Sequence, residues 1–195
     1  WGPGDAGGEG GVTQLWLGDG AGSFPGATAS NMPNLNVSWS WELEFADVDN
    51  DLDLDVLVSC KTCDGSFMFH NDGAGVFTDA TDKLPQKSNN YEFEAIDLTG
   101  DGFLDLITVN DGPMFREHIL VGDGMGGFTD GTAELWPNSE NVAGDDNMVA
   151  FLDYESDGDP DFVVCGLFGN DDRLLLNDGS GHLTLVPDAF MPANS

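Results

Sequence analysis

The chain has 195 residues, of which 40% are hydrophobic, so it can bury a core and is not predicted to be disordered. Only 5 Lys and Arg oppose 36 Asp and Glu, and the formal net charge of −31 repels both nucleic acid and anionic membrane surfaces. No run of about 18 apolar residues is present, so membrane insertion is not predicted. The 27 glycines and 9 prolines show no collagen period and indicate many tight turns between short strands.

The first predicted element is a hairpin whose turn motif recurs about every 50 residues, a period typical of propeller blades. In each copy, Gly or Asn is followed by Asp-Gly-x-Gly, with a short apolar strand before the motif and an aromatic residue or Leu at its end. The glycines supply the positive φ angles that such a hairpin turn needs. The four copies are Gly18–Phe24, Asn71–Phe77, Gly122–Phe128 and Asn177–Leu183.

An acidic motif of nine residues alternates with the turn motif, in the segments Asp47–Asp55, Asp97–Asp105 and Asp153–Asp161. Oxygen side chains at loop positions 1, 3, 5 and 9, with a backbone carbonyl at position 7, can surround an ion that takes six to eight hard oxygen ligands, as calcium does. Gly102 and Gly158 at position 6 allow a sharp turn, whereas Leu52 is expected not to. These segments are therefore predicted to be calcium sites.

Two other interpretations of the acidic segments are less favoured. An EF-hand needs a Glu at position 12 and flanking helices, but Val58, Thr108 and Val164 stand at that position and the flanks are apolar and β-rich. Simple solvated turns would leave clustered carboxylates repelling one another without a cation. We therefore expect strand–loop–strand metal sites.

The alternation of both motifs from about Val12 to Pro187 resembles the FG-GAP/VCBS repeats of integrin α-subunit propellers and of many secreted proteins. The resemblance implies an all-β fold of propeller blades with four antiparallel strands each. About 3.5 repeats are present, as a partial propeller or an open array. The expected divisions are a partial first blade with its hairpin at 1–28, repeats at 29–81, 82–132 and 133–187, and a tail at 188–195.

The resemblance also implies about three Ca²⁺ sites with a structural role. Two departures from the family pattern matter: Leu52 replaces the usual Gly of the first loop, and Thr99 removes a charge from the second, which should weaken its affinity. The implied ligands are Asp47, Asp49, Asp51, the carbonyl of Asp53 and Asp55; Asp97, Thr99, Asp101, the carbonyl of Phe103 and Asp105; and Asp153, Glu155, Asp157, the carbonyl of Asp159 and Asp161.

The function expected from these features is that of an extracellular calcium-binding module, secreted or on the cell surface, that recognises a protein or glycan through a propeller face. The alternative is a structural subunit that self-associates through open blade edges into an oligomer or filament, because unpaired edge strands template further strands. The three histidines accompany no recognisable nucleophile, so no enzymatic activity is predicted.

Three further features are open at this stage. Cys60 and Cys63 could form a disulfide, half of a zinc site or a pair of free thiols. Asn36 begins an N-glycosylation sequon. Trp39 and Trp41 alternate with polar residues, which favours positions in the core of a blade over a sugar-stacking surface.

Overall fold

The structure is a computed structural model that describes residues 11–37, 39–61, 65–167, 172–187 and 189. It contains three antiparallel sheets of four strands each, and in every sheet the strands follow one another in chain order. The predicted all-β class is confirmed. Short apolar runs separated by Gly- and Asp-rich turns favour this meander, because each turn returns the chain directly beside the strand it has just left.

The strands have the following bounds. The first sheet consists of β1 (Ser40–Ala46), β2 (Asp55–Cys60), β3 (Phe67–Asn71) and β4 (Phe77–Asp79), the second of β5 (Asn90–Ile96), β6 (Asp105–Asn110), β7 (His118–Gly122) and β8 (Phe128–Asp130), and the third of β9 (Asp146–Leu152), β10 (Asp161–Gly166), β11 (Arg173–Asn177) and β12 (Leu183–Val186). Short helical turns lie between the sheets, with α1 at Thr28–Asn31, a 3-10 turn at Thr81–Lys83 and α2 at Thr132–Leu135. None of the described helices is long and apolar enough to cross a membrane.

Each acidic segment joins the first and second strands of a sheet, and each turn motif after the first joins the third and fourth strands. The first turn motif closes a separate hairpin, in which the Leu17 amide donates to the Pro25 carbonyl at 3.1 Å and the Ala27 amide donates to the Leu15 carbonyl at 2.8 Å. The segments 1–10 and 190–195, at the two ends of the expected divisions, lie outside the described residues.

The hydrophobic core lies between consecutive layers of the molecule. One cluster joins the first and second sheets through residues such as Leu57 and Phe93, and another joins the second and third through Ile107 and Phe162. A third cluster packs Val37 and its neighbours against the first sheet. The second strands β2 and β6 are buried along their whole length because layers cover both of their faces. The sheets thus stack face to face, with their loops aligned at one end.

The expectation that Trp39 and Trp41 lie in the core is wrong, because about half of each side chain is exposed. The pairing of β1 with β2 is irregular between Ser40 and Leu43, and Trp41, within this irregular stretch, contacts the second sheet. There its ring lies 5.0 Å from the ring of Tyr91, and the Lys61 ammonium lies 4.7 Å from both.

Of the cysteines, Cys60 is buried and disulfide-bonded, whereas Cys165 is a free thiol. Cys63, the partner considered from the sequence, lies outside the described residues.

Candidate metal centre

The three acidic loops share one backbone path. In each loop the fourth and sixth residues have a left-handed φ: +60° and +74° at Asn50 and Leu52, +72° and +90° at Gly100 and Gly102, and +60° and +98° at Ser156 and Gly158. The expectation that Leu52 would not provide the sharp turn is therefore wrong. Its side chain points into solvent, so the left-handed backbone conformation itself is the main energetic cost of a leucine at this position.

The first aspartate of each loop holds this curl by accepting backbone hydrogen bonds. The amides of Asp51 and Leu52 each donate to Asp47 at 3.1 Å. The same contacts recur in the second loop, where Asp97 accepts from the amides of Asp101 and Gly102. The loops therefore keep their shape through their own carboxylates, and the implied ligand at position 1 faces the concave side of the curl.

The last aspartate of each loop is fully buried and ties the loop to the hairpin turn of the same sheet. In the first sheet, the Val48 amide donates to Asp55 Oδ2 at 3.0 Å and the Asn71 amide donates to Asp55 Oδ1 at 2.8 Å. Asp105 and Asp161 make equivalent pairs of bonds. The motif by itself indicates only a metal ligand at this position, whereas the place of each aspartate at the first residue of a buried strand also signals a structural role.

The first loop brings three of its predicted ligands together. One carboxylate oxygen from each of Asp47, Asp49 and Asp55 lies within 4.8 Å of the others, which is close enough for all three to bind one cation. Asp51, at position 5, accepts a hydrogen bond from the amide of Asp53 at 3.0 Å. Clustered hard oxygen donors of irregular geometry suit calcium better than magnesium, which demands a near-ideal octahedron.

The second and third loops do not assemble three carboxylates at this distance within the part of the chain that the structure describes. Thr99 stands at the position that Asp49 occupies in the first loop, and its buried Oγ1 is an uncharged oxygen. In the third loop the position belongs to the longer Glu155, while Asp157 accepts from the amide of Asp159 at 3.1 Å. These two loops have the same backbone conformation as the first loop but not its cluster of three carboxylates.

Electrostatics favour a cation in the loops. Burial raises the pKa of Asp55 despite its two hydrogen bonds from backbone amides. Desolvation and then the charges of Asp161, Asp157 and Asp153 raise the pKa of Glu155. A raised carboxyl pKa means that the ionised form is disfavoured, and a divalent cation would reverse this by supplying opposite charge at short range.

The turn of the following sheet covers each of the first two loops. The Gly126 amide donates to the Val48 carbonyl at 3.1 Å, and Asn50 Nδ2 donates to the Gly124 carbonyl at 3.2 Å. A Cβ at Gly126 would collide with the ring of His70 in β3 and would lie 3.2 Å from the Cβ of Asp49, so the turn fits closely over the first loop and β3. Asn177 makes a corresponding contact with the Leu98 carbonyl of the second loop at 2.9 Å.

Two glutamates on the first strands connect consecutive sheets and were not singled out from the sequence. Glu42 Oε2 accepts from the Phe93 amide at 3.3 Å, and Glu92 Oε1 accepts from the Val149 amide at 3.4 Å. The signal was available, because both glutamates stand at the same distance before an acidic loop.

Comparison with known proteins supports the repeat assignment. Residues 97–164 match the family model of the FG-GAP-like repeat, so the resemblance is confirmed for this part of the chain. No curated protein matches the chain by sequence. A solved structure of an Agrocybe aegerita lectin, described as specifically recognising non-reducing terminal N-acetylglucosamine, superposes with a TM-score of 0.50 at 18% identity. The match covers 88% of this chain and 45% of the lectin chain, so this chain spans less than half of that protein.

Proposed function

From the FG-GAP-like repeat at residues 97–164, we propose that this protein is an extracellular calcium-binding module whose sheets are propeller blades. Calcium has a structural role in it, holding the acidic loops and through them the contacts between sheets. The module binds a partner through a propeller face and has no catalytic activity of its own.

The observation that supports this proposal most strongly is the carboxylate cluster of Asp47, Asp49 and Asp55. Asp55 is fully buried, and a buried carboxylate without a neutralising partner is costly. The backbone amides that reach Asp55 supply only partial positive charge. A bound cation would therefore stabilise the folded chain and couple metal binding to folding.

The partner we propose is a protein or a glycan. The lectin to which the fold is similar recognises a sugar, and two half-exposed tryptophans, Trp39 and Trp41, lie at the start of the first sheet, where aromatic rings can stack on a ligand. Strong negative charge argues against nucleic acid and anionic membranes as partners.

Calcium binding is tested by isothermal titration calorimetry of the chelator-treated chain and by thermal melting with and without calcium. We expect calcium uptake and a higher Tm, since a ligand that binds only the folded state stabilises it by RT ln(1 + [L]/Kd), about 2.7 kcal/mol at 100 times Kd. An unchanged Tm together with no measurable heat of binding would exclude the proposal.

The variant Asp49→Asn separates the site from general charge effects. It removes one charge from the cluster and keeps the shape of the side chain, so we expect calcium affinity to fall by about tenfold or more. Asp82→Asn is the matched control, since Asp82 lies on the exposed 3-10 turn and carries the same charge. Equal losses in both variants would mean that overall charge, and not this loop, attracts the ion.

A further inference from the structure

A cavity lies between the first strands of the second and third sheets, at the end of the molecule that carries the acidic loops. Its volume of about 420 Å³ falls within the range of about 300–1,000 Å³ that is typical of small-molecule sites. Ile96 at the end of β5, Phe151 and Leu152 at the end of β9, and Pro160 of the third loop form its apolar walls. Leu152 is 38% exposed, so apolar surface faces an open space large enough for a small molecule.

Three aspartates line the same cavity, and the described residues around it include no lysine or arginine. Asp97 and Asp153 are the first residues of the second and third loops, and Asp159 is the seventh residue of the third loop. Carboxylates of one sign beside apolar walls focus the electrostatic field in a cleft and raise the local concentration of cations. The cavity thus combines an apolar contact surface with strong attraction for positive charge.

Backbone hydrogen bonds hold two of these carboxylates in place. Asp97 accepts from the Gly102 amide at 2.9 Å, and Asp153 accepts from the Asp157 amide at 3.1 Å. Asp159 differs from both, because its backbone carbonyl, and not its side chain, is the implied ligand of a metal ion. The negative charge of the Asp159 side chain is therefore available to a second ligand.

The equivalent place between the first and second sheets has a different chemistry. Ala95 of β5 occupies the register position of Phe151 in β9. Phe103 is the seventh residue of the second loop, where the third loop has Asp159. A methyl group thus replaces one aromatic wall, and an aromatic ring replaces the available carboxylate. The combination of apolar walls and an available charge occurs at the second interface and not at the first.

We infer that this cavity binds a small organic cation, a free molecule that carries an ammonium or guanidinium group on an apolar body. The cationic group lies among Asp97, Asp153 and Asp159, and the apolar body contacts Phe151 and Leu152. A metal ion alone is a poorer match, because the apolar walls supply it no oxygen ligands. An anionic ligand would be repelled by the three carboxylates.

The test is an NMR titration of the isotope-labelled full chain with phenethylamine, in about 0.15 M NaCl, where a Debye length of about 8 Å screens long-range attraction between charges. Phenethyl alcohol, which keeps the ring and lacks the charge, and methylammonium, which keeps the charge and lacks the ring, are the matched probes. We expect phenethylamine to shift the amide signals of Asp97, Gly158 and Asp159 saturably. Each matched probe should bind at least about tenfold more weakly, because it satisfies only half of the site.

Two variants test the two halves of the site. Asp159→Asn removes the charge and leaves the backbone carbonyl in place, so it should weaken phenethylamine binding by about tenfold or more. Asp82→Asn, the same substitution on the exposed 3-10 turn, should not change it. Leu152→Lys places an ammonium group of the chain itself in the cavity and should abolish binding, whereas Leu54→Lys, at an exposed leucine of the first loop, should have no effect.

The inference would be overturned by the absence of saturable shifts, by equal binding of either matched probe, or by unchanged binding to Asp159→Asn or Leu152→Lys of unchanged Tm. Loss of phenethylamine binding on addition of calcium would also overturn it, since the amine would then occupy a metal position and not the cavity. This site is additional to the protein or glycan partner proposed above. Calcium uptake is measured separately by calorimetry, so a chain that binds calcium but not phenethylamine contradicts this inference alone.

Discussion

At the scale of single residues, Leu52 shows how strongly the acidic loop imposes its shape. A left-handed φ of +74° brings the Cβ of an ordinary residue against its own backbone. The side chain is 90% exposed, so its packing does not offset the energetic cost of the left-handed backbone. The conformation persists because Asp47 accepts the Leu52 amide and so holds the turn.

The substitution Leu52→Gly should therefore stabilise the chain by about 1 kcal/mol, since glycine adopts this φ without strain. The gain is reduced by the greater entropy of glycine in the unfolded chain. Urea denaturation measures the difference. Leu54→Gly is the control, because Leu54 is also exposed but lacks a left-handed φ, and it should lower stability slightly. A loss of stability in Leu52→Gly would contradict the strain argument.

The path of the first loop could not be predicted from its residues alone. Position 6 holds a leucine, whose intrinsic preference opposes the turn, and hydrogen bonds such as those to Asp47 and the buried Asp55 override that preference. By contrast, the glycines of the second and third loops predicted their curl correctly, since glycine has no competing preference.

At the scale of strands, β1 and β5 place four glutamates close together. Burial, and after it the charges of Glu44 and Glu92, raise the pKa of Glu42 to about 7. Burial and the neighbouring Glu92, with smaller contributions from Glu44 and Glu42, raise the pKa of Glu94 to about 7. The two strands thus carry carboxyl groups that change charge near neutral pH.

This cluster predicts a dependence of stability on pH. A carboxyl pKa that is higher in the folded chain means that the folded chain binds more protons, so the contribution is fully present below about pH 4.5 and is lost as the pH rises through about 7. We expect Glu94→Gln to raise the free energy of unfolding at pH 8 by about 1 kcal/mol, well below the full shift because Glu94 is only half-buried.

Denaturation at pH 5 and pH 8 checks this prediction, with the solvent-facing Glu134→Gln as the control. The stabilisation should be largest at pH 8 and small at pH 5. Equal effects at both values would show that the ionisation of Glu94 does not cause them.

The strands themselves were largely predictable. Turn glycines and acidic loops separate apolar runs, and this alternation correctly indicated antiparallel strands on either side of each loop. The exposure of Trp39 and Trp41 was not predictable, because it depends on which parts of the first sheet another layer covers. The hydrogen bonds of Glu42 and Glu92 to the next sheet were not predictable either, because they depend on how the sheets pack and produce no apolar periodicity in the sequence.

At the scale of the whole molecule, the net charge of −31 opposes the compact state. Positive charges are few, and one of them has a central structural role. Arg173 of β11 contacts both Asp146 of β9 and the fully buried Glu117, whose pKa burial and the neighbouring Asp146 raise to about 9. One guanidinium thus connects the second and third sheets across two acidic groups.

We therefore expect salt to raise the Tm and calcium to raise it further. Sodium chloride screens repulsion between exposed carboxylates, and a gain of about 1 kcal/mol would correspond to about 2–4 °C. Melting curves in NaCl, MgCl₂ and CaCl₂ at equal ionic strength separate screening from binding. The Tm should be higher in calcium than in magnesium. Identical curves in all three salts would show that the rise in Tm comes from screening alone.

The buried aspartates have a consequence for how such a chain can change over time. Asp55, Asp105 and Asp161 each join a loop to a turn that lies only 16 or 17 residues further along the chain. The bonds of these aspartates are thus closed within one repeat, and the neighbouring repeat adds separate hydrogen bonds to the loop and to the first strand. Duplication or loss of a whole repeat would leave every such bond intact, so arrays of different length can arise from one stretch of coding sequence.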